Sequence, residues 1–242
     1  MLIGLESMFE IFQGYLIFIK FLRACYMESR KPFDLQYPLI IWNSMLCIFS
    51  FLGSYRCIPA FYKIVKNSGW IATVCSNSYY YEKPEAFWVA AFTLSKIPEL
   101  IDTLFIVLRK RKLIFLHWYH HSTVLAFGIL TFPYWYGGPA WYGSMNYPIH
   151  FIMYGYYATM AMKIVRFPRW ISMAITALQI SQMIVGIGVQ FVLYKNLGTN
   201  DCHTNSGHVL AGFLMYGSYF LLFLDYFLGA YIKNDKMKVK AD

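Results

Sequence analysis

Histidines and other ionisable side chains cluster in apolar parts of the sequence, where such groups are rare. The segment HWYHH carries His117, His120 and His121, and in a helix these three imidazoles share one arc of about 100°. Ionisable groups inside an apolar segment are costly unless they face a cavity or one another, so they mark functional sites by default. Three imidazoles on one face therefore indicate a reactive or ligand-binding centre.

Three further apolar segments each carry polar residues on one helical face, and we expect them to surround one site with the histidines. Pro98 predicts a kink in the first of these segments. Lys96 and Glu99 share a helical face there, and a packing ion pair explains them as well as substrate binding does. The polar residues are Lys96, Glu99, Asp102 and Thr103 in KIPELIDT, Asn146, His150, Tyr154 and Tyr157 in MNYPIHFIMYGYY, and Thr176, Gln179 and Gln182 in TALQISQ.

Histidine clusters of this kind serve either metal chemistry or acyl transfer. The di-iron desaturases and hydroxylases of membranes use more histidine ligands than the six histidines of this sequence, and His203 and His208 lie away from the cluster. A single zinc site stays open as an alternative, but no spacing of Cys and His supports it, and we therefore assign no metal ligands. No Ser or Cys lies in a nucleophile motif. The imidazoles themselves would then act as nucleophile, base or both.

The composition is that of an integral membrane protein. Apolar residues make up 58% of the 242 positions and charged residues only 14%, which excludes a disordered chain, a small disulfide scaffold and a coiled coil. The net charge of +9 suits basic loops at a membrane surface better than nucleic-acid binding. We predict an all-α integral membrane protein with a single domain over residues 1–242. Its seven predicted spans cover residues 8–26, 37–57, 86–108, 113–132, 141–162, 171–194 and 208–232.

The distribution of basic residues predicts the orientation in the membrane. Lys and Arg concentrate after the first, third, fifth and seventh spans, as in the RKRK turn of residues 109–112. Basic loops stay in the cytosol, so we predict a lumenal N-terminus and a cytosolic C-terminus. Cys75 and Cys202 then both fall in lumenal loops, where a disulfide can form. On the cytosolic tail, Lys238 and Lys240 resemble a dilysine signal for retrieval to the endoplasmic reticulum, although a solvated basic tail explains them equally well.

The four polar segments together resemble one enzyme family. KIPELIDT, LHWYHH, MNYPIHFIMYGYY and TALQISQ are similar, in sequence and in order, to the motifs of the very-long-chain fatty acid elongases, the membrane 3-ketoacyl-CoA synthases of the endoplasmic reticulum. The resemblance implies seven transmembrane helices, six of which form a barrel around a narrow acyl tunnel with a cytosolic mouth for CoA. HWYHH resembles the branch that acts on saturated and monounsaturated chains. Aromatic residues make up 20% of the chain, and we expect many of these stiff rings to line the tunnel.

The resemblance implies a decarboxylative condensation that needs no cofactor. An acyl-CoA and malonyl-CoA would give CoA, carbon dioxide and a 3-oxoacyl-CoA that is two carbons longer. The resemblance favours His120 and His150 as the reacting pair. His120 would be the nucleophile that forms an acyl-imidazole, and His150 would stabilise the enolate or hold the malonyl carboxylate. The residues alone do not choose among the four histidines.

The other polar residues would support these two histidines. His117 and His121 would orient the nucleophile or move protons, with the help of Asp102. Asn146 and Gln182 would donate hydrogen bonds to an oxyanion. The phosphates of CoA need cations at the tunnel mouth, although the orientation rule explains each single cation equally well. The candidate substrate-binding residues are Lys96, Glu99, Tyr154, Tyr157 and Gln179 near the histidines and Arg109, Lys110, Lys112, Lys163, Arg166 and Lys233 at the mouth.

Two other functions fit the same elements. A di-iron membrane desaturase or hydroxylase would contain iron, and a non-enzymatic seven-span lipid transporter would not need a reactive cluster beside a basic turn. For an elongase, the expected partners are acyl-CoA, malonyl-CoA, the lipid bilayer, and the ketoacyl-CoA reductase, dehydratase and enoyl reductase of the elongation cycle. We expect no nucleic acid. The sequence leaves the preferred chain length and the oligomeric state open, with a homodimer as one candidate.

Overall fold

The structure of the protein, a computed structural model, describes residues 13–81 and 83–233. Within these ranges every regular element is helical, which confirms the predicted all-α class for them. Helix α1 covers residues 13–21 and continues as a π-helical turn, Leu22–Tyr26. The other helices are α2 (Gln36–Cys75), α3 (Glu85–Ser95), α4 (Ile101–Leu108), α5 (Phe115–Thr131), α6 (Pro139–Met162), α7 (Arg169–Lys195) and α8 (Ser206–Phe227), the last continued by the π-helical segment Leu228–Lys233.

Three helices in the described part of the chain are long and apolar enough to cross a membrane. They are α2, α7, and α8 with its extension to Ile232. The other predicted spans are also helical where the structure describes them, but their helices are shorter, broken or richer in polar residues. Residues 8–12 of the first predicted span lie outside the described ranges. Length and composition thus support a helical membrane protein with at least these three spans.

Helix α2 is much longer than the span predicted over residues 37–57. It continues past Pro59 and the exposed Lys66 to Cys75, because proline in a helix is tolerated and an exposed lysine does not end one. Only Gly69 leaves helical geometry, with a φ of +80° that glycine adopts without strain. The prediction that Cys75 lies in a loop is therefore wrong, since it is the last residue of α2.

The predicted span over residues 86–108 is two helices rather than one. Helices α3 and α4 flank a 3₁₀ turn, Pro98–Leu100. Proline has no N–H to continue the hydrogen-bond ladder, so the predicted kink is a full break in the helix. Lys96 and Glu99 both lie in this break, which removes them from the regular helical face on which the sequence places them.

The helix bundle has two distinct ends. The basic end carries the turn of residues 109–112, and the disulfide end carries a bond between Cys75 and Cys202, whose Cα atoms are 4.3 Å apart. Beside the disulfide, the N–H of His203 donates to the carbonyl of Cys75 at 3.1 Å, and the N–H of Gly137 donates to the carbonyl of His203 at 2.6 Å. The end of α2, the α5–α6 connection and the α7–α8 connection are thereby fastened together.

Glycines allow two pairs of helices to approach closely. Gly53 of α2 lies against the ring of Tyr147 in α6, and Gly186 of α7 lies against the ring of Tyr216 in α8. A methyl group at either glycine would collide with the ring. Both tyrosines are buried, at 2% and 6% exposed. These contacts hold the helices that carry the polar segments in their relative positions.

Candidate active site

Two cavities meet at the histidine cluster. The apolar cavity extends from the cluster toward the disulfide end, and the polar cavity opens from it toward the basic end. His120, Asn146 and Gln182 line both cavities. A molecule with a polar head and an apolar tail would therefore place the join of its two halves at these three residues.

Helix α5 holds three imidazoles side by side, as their helical spacing predicts. His117 and His121 are one turn apart, and their ring centroids are 4.5 Å apart. Nε2 of His117 lies 3.1 Å from Oγ1 of Thr103 in α4. The ring of His120 lies 4.8 Å from the ring of Tyr219 in α8, whose hydroxyl donates to the His120 carbonyl at 3.2 Å. All three histidines line the polar cavity, but only His120 of the three also lines the apolar one.

The fourth histidine, His150 on α6, faces the break between α3 and α4. Its Nδ1 is 3.9 Å from Oε1 of Glu99. That carboxylate oxygen accepts hydrogen bonds from Nζ of Lys96 at 2.7 Å and from Oγ of Ser95 at 3.1 Å. Nζ of Lys96 also donates to Oδ1 of Asn146 at 3.2 Å. A continuous chain of polar contacts therefore connects His150 with Asn146.

This chain of contacts decides between the two roles that the sequence leaves open for Lys96 and Glu99. Lys96 is 4% exposed and Glu99 is 3% exposed, and each is the other's partner. The geometry favours an internal ion pair over direct substrate binding, although Lys96 also lines the apolar cavity. Because the oxygen of Asn146 is engaged, its amide nitrogen is left to donate into the cavities that Asn146 lines.

The surroundings of Asp102 differ from the prediction. Its Oδ1 accepts a hydrogen bond from Nε1 of Trp42 at 2.6 Å, and its Oδ2 accepts one from the hydroxyl of Tyr154 at 2.9 Å. Both oxygens are thus engaged with residues other than His117 and His121. The structure gives Asp102 a linking role between α2, α4 and α6 in place of the predicted support of those two histidines.

The polar cavity has a volume of about 420 Å³ and is lined mainly by α5, α6, α7 and α8. Tyr154, Tyr157 and Gln179, three of the predicted binding residues, line it. Nε2 of Gln179 lies 3.2 Å from Sδ of Met153, and Thr176 also reaches the cavity. The segments MNYPIHFIMYGYY and TALQISQ therefore do face one space, together with HWYHH.

Aromatic rings form much of the wall of the apolar cavity. The wall contains Tyr80, Trp88, Phe92, Phe127, Phe132, Tyr136, Tyr142, Tyr216 and Tyr219. Other aromatic side chains lie on the outer surface, where Tyr37, Tyr62 and Phe87 are more than half exposed. The aromatic excess of the sequence is thus divided between the cavity wall and the outside of the bundle.

The basic residues predicted to bind CoA do not form one group. Arg109 and Lys163 line a third cavity, between α2, α4 and α6, which also reaches His117. Lys110 is turned away and donates to the carbonyl of Glu28 at 3.2 Å. Lys112 and Arg166 are exposed and line none of these three cavities. The side chain of Lys233, and all of Lys238 and Lys240, lie outside the described residues.

Three residues at these cavities have roles that the sequence pattern does not reveal. Trp42 binds Asp102, and Tyr219 contacts His120. Both lie in ordinary apolar segments, so no local signal separates them from packing residues. His208 was visible as a histidine apart from the cluster, and the structure places it at the far end of the apolar cavity.

Known proteins resemble this chain over most of its length. Residues 4–239 match the GNS1/SUR4 family, ELO. The chain is 41% identical to very long chain fatty acid elongase 6 of Gallus gallus over 216 residues, which cover 89% of this chain and 81% of that protein. It is 44% identical to very long chain fatty acid elongase 3 of Homo sapiens over 218 residues, which cover 89% and 78% of the two chains. The chain therefore belongs to the ELO family, GNS1/SUR4, as do these very long chain fatty acid elongases.

Proposed function

We propose that the protein is the condensing enzyme of fatty acid elongation. It joins an acyl-CoA to the two-carbon unit of malonyl-CoA and releases a 3-oxoacyl-CoA, carbon dioxide and CoA. The observation that carries this proposal is the junction at His120, where the polar and apolar cavities meet. An acyl-CoA has its reacting carbonyl where its polar and apolar halves join, so the junction places that carbonyl beside an imidazole. The names of the relatives point to the same reaction class.

In the first half of the reaction, His120 is the nucleophile. A ring nitrogen of His120 bonds to the acyl carbon, the carbon–sulfur bond breaks, and CoA leaves as the thiolate. The proton displaced from the imidazole goes to this thiolate. His117 and His121 line the same cavity and form the adjacent route for that proton.

In the second half, malonyl-CoA takes the place of the released CoA. Its carboxylate leaves as carbon dioxide, and the electron pair of the broken carbon–carbon bond forms an enolate. The enolate attacks the acyl carbon, the bond between that carbon and the His120 ring nitrogen breaks, and this nitrogen takes up a proton from water to restore the neutral imidazole. As an imidazolium with Nδ1–H toward the carboxylate of Glu99, His150 can donate a hydrogen bond from Nε2 to the enolate oxygen in the polar cavity. The carbonyl oxygen of the acyl group gains negative charge in both halves, and the amide groups of Asn146 and Gln182 at the junction can donate to it.

The covalent step has a direct test. Purified protein incubated with an acyl-CoA alone should gain the mass of the acyl group, and His120→Ala should not. His203→Ala is the matched control, because His203 is exposed at the disulfide end, and it should keep the adduct. An unmodified wild-type protein with full condensation activity would reject the acyl-imidazole. If no acyl-CoA yields a 3-oxoacyl product, the condensing function itself is wrong, and stoichiometric iron in that protein would favour the di-iron alternative.

The membrane arrangement is part of the same proposal. We infer seven spans, six of them around the acyl cavity, in the endoplasmic reticulum membrane, with a lumenal N-terminus and a cytosolic C-terminus. The disulfide supports a lumenal position for its end of the bundle, since disulfides form in oxidising compartments. The basic end would then face cytosolic CoA. A glycosylation acceptor inserted in the 109–112 turn should stay unmodified, and one in the α7–α8 connection should be modified. The reverse pattern would overturn this orientation.

A further inference from the structure

A chain of hydrogen bonds links helix α1 to the histidine cluster. The hydroxyl of Tyr15 donates to Oγ1 of Thr103 in α4 at 2.5 Å. The same oxygen lies 3.1 Å from Nε2 of His117 in α5. None of the described residues of α1 lines the apolar, the polar or the third cavity. Helix α1 therefore reaches the site through Thr103, which is fully buried.

Apolar packing between α1 and α4 holds Tyr15 against Thr103. Ile19 lies one turn after Tyr15, and Val107 lies one turn after Thr103, so each pair shares one face of its helix. Ile19 and Val107 belong to one buried cluster, at 5% and 3% exposed, and Tyr15 packs against that cluster. The contact between Ile19 and Val107 thus also brings Tyr15 to Thr103. The hydrogen bond follows from the way in which the two helices pack.

The hydrogens of this chain determine which nitrogen of His117 carries the proton. A hydroxyl group has one hydrogen and two lone pairs. Oγ1 of Thr103 accepts the hydrogen of Tyr15, so its own hydrogen needs another acceptor. Among the described residues, the other polar contact of this oxygen is Nε2 of His117. The Thr103 hydroxyl therefore donates to Nε2, and a neutral His117 carries its proton on Nδ1.

We propose that Tyr15 and Thr103 hold His117 in the tautomer with its proton on Nδ1, so that His117 donates a hydrogen bond to the sulfur of the departing CoA. The proposal rests on the proposed condensing function. His117 lines the polar cavity but not the apolar one, which places it on the CoA side of the junction at His120. The sulfur gains negative charge as the carbon–sulfur bond breaks, and a donor aimed at that charge stabilises the transition state. Tyr15 and Thr103 are positioning residues, because they act through His117.

The tautomer has a spectroscopic test that does not depend on activity. The full-length protein in detergent is labelled with ¹⁵N in its histidine rings, and the NMR signals of His117 are identified by their loss in His117→Ala. In the wild type, Nδ1 of His117 should bear the proton and Nε2 should not. Tyr15→Phe should give a mixture of the two tautomers, because Oγ1 of Thr103 can then accept a hydrogen bond from Nε2 instead. A wild-type His117 with its proton on Nε2 would contradict the proposal.

Single-turnover kinetics test the role in the reaction. The protein is mixed with an acyl-CoA alone, and the rate of CoA release is followed. Tyr15→Phe should lower this rate about three- to tenfold, as expected for one lost hydrogen bond, and should leave KM for acyl-CoA unchanged. Thr103→Val should lower the rate at least as much, whereas Thr103→Ser keeps the hydroxyl group and should retain most of the rate. Tyr26→Phe is the matched control, since Tyr26 lies in the π-helical turn after α1 and is exposed, and its rate should match the wild type.

A double-mutant comparison distinguishes this role of Tyr15 from a purely structural one. In a His117→Ala protein, Tyr15→Phe should have no further effect on the rate of CoA release, because the ring on which Tyr15 acts is gone. An equal effect of Tyr15→Phe with and without His117 would overturn the proposal, as would an unchanged rate in folded Tyr15→Phe and Thr103→Val proteins. Absence of CoA release and of any 3-oxoacyl product in the wild type is a different result. It would refute the condensing function, and the NMR spectrum would still decide the tautomer of His117.

Discussion

Oε1 of Glu99 lies 3.9 Å from Nδ1 of His150 and, at the same time, 2.7 Å from Nζ of Lys96. One buried carboxylate oxygen thus serves an ion pair within the α3–α4 break and faces a histidine on α6. The other carboxylate oxygen of Glu99 has no hydrogen-bond partner among the described residues. For the proposed reaction, we therefore infer that Glu99 is a positioning residue, which acts through His150 and through Lys96.

Replacing Glu99 with Gln should destabilise the protein and reduce kcat. The charge of Lys96 would stay buried without its partner, which costs about 3–5 kcal/mol in the free energy of unfolding. The loss of activity should appear in kcat rather than in KM for acyl-CoA, because Glu99 holds His150 and does not bind the substrate. Thermal unfolding in detergent and steady-state kinetics measure the two effects.

The double variant Lys96→Met/Glu99→Leu distinguishes the effect of Glu99 on protein stability from its effect on the position of His150. Removing both charges should restore much of the stability, since an apolar replacement of a buried ion pair is often neutral. Activity should stay low, because His150 has lost its partner. A double variant with wild-type kcat would show that Glu99 does not position His150.

Asp102 should be coupled energetically to Trp42 and not to the histidines of α5. Trp42→Phe removes a hydrogen bond to a buried carboxylate and should lower the free energy of unfolding by about 1–3 kcal/mol. A double-mutant cycle of Trp42→Phe with Asp102→Asn should give a coupling above about 0.5 kcal/mol. The matched cycle of His117→Ala with Asp102→Asn should be additive. Equal couplings in the two cycles would restore the role that the sequence predicts for Asp102.

Removal of the disulfide should destabilise the disulfide end of the helix bundle. The variant Cys75→Ser/Cys202→Ser should lose about 2–5 kcal/mol in the free energy of unfolding, measured by thermal unfolding in detergent. Cys25→Ser is the control, since Cys25 is a free, exposed cysteine. Peptide mapping without reductant should recover the two cysteines in one linked peptide. Two free thiols in active protein would contradict this prediction.

The cations of the third cavity should contribute more to CoA binding than their neighbours in the basic turn. Arg109→Gln/Lys163→Gln should raise KM for acyl-CoA about tenfold or more with little change in kcat, as expected for lost charge-assisted hydrogen bonds to phosphate. Neutralising Lys110 and Lys112 together should raise KM by less, because Lys110 is bonded to a backbone carbonyl and Lys112 lines none of the three cavities. Arg56→Gln, at an exposed residue of α2, should leave KM unchanged. The opposite order of effects would indicate that the phosphates of CoA bind to the basic turn of residues 109–112.

Local properties of the chain were predictable without the structure. The all-α class follows from apolar segments whose length and composition leave few alternatives. The contact between the rings of His117 and His121 follows from their spacing, because residues four apart lie on the same face of any α-helix. The same reasoning brings HWYHH, MNYPIHFIMYGYY and TALQISQ to one cavity, since each segment has one polar face and apolar surroundings.

The partner of each polar group depends on contacts between distant parts of the chain. Asp102 could have faced a histidine, but the position of α2 beside α4 and α6 gives its oxygens to Trp42 and Tyr154. That position depends on details such as the fit of Tyr147 against Gly53, which no periodicity reveals. A hydrogen bond requires atoms within about 3 Å, whereas a helical pattern specifies only a direction around the axis.

The amino-acid sequence therefore indicates the chemistry of the site, whereas the tertiary structure determines its dimensions. Residue types and their spacing indicate imidazole chemistry in a membrane helix bundle, since polarity and helical periodicity are local properties. The length of the apolar cavity appears only after α5, α8 and the α5–α6 connection come together around Phe127, His208 and Tyr136. A cavity is the space left between packed elements, and its length is set by all of their contacts at once.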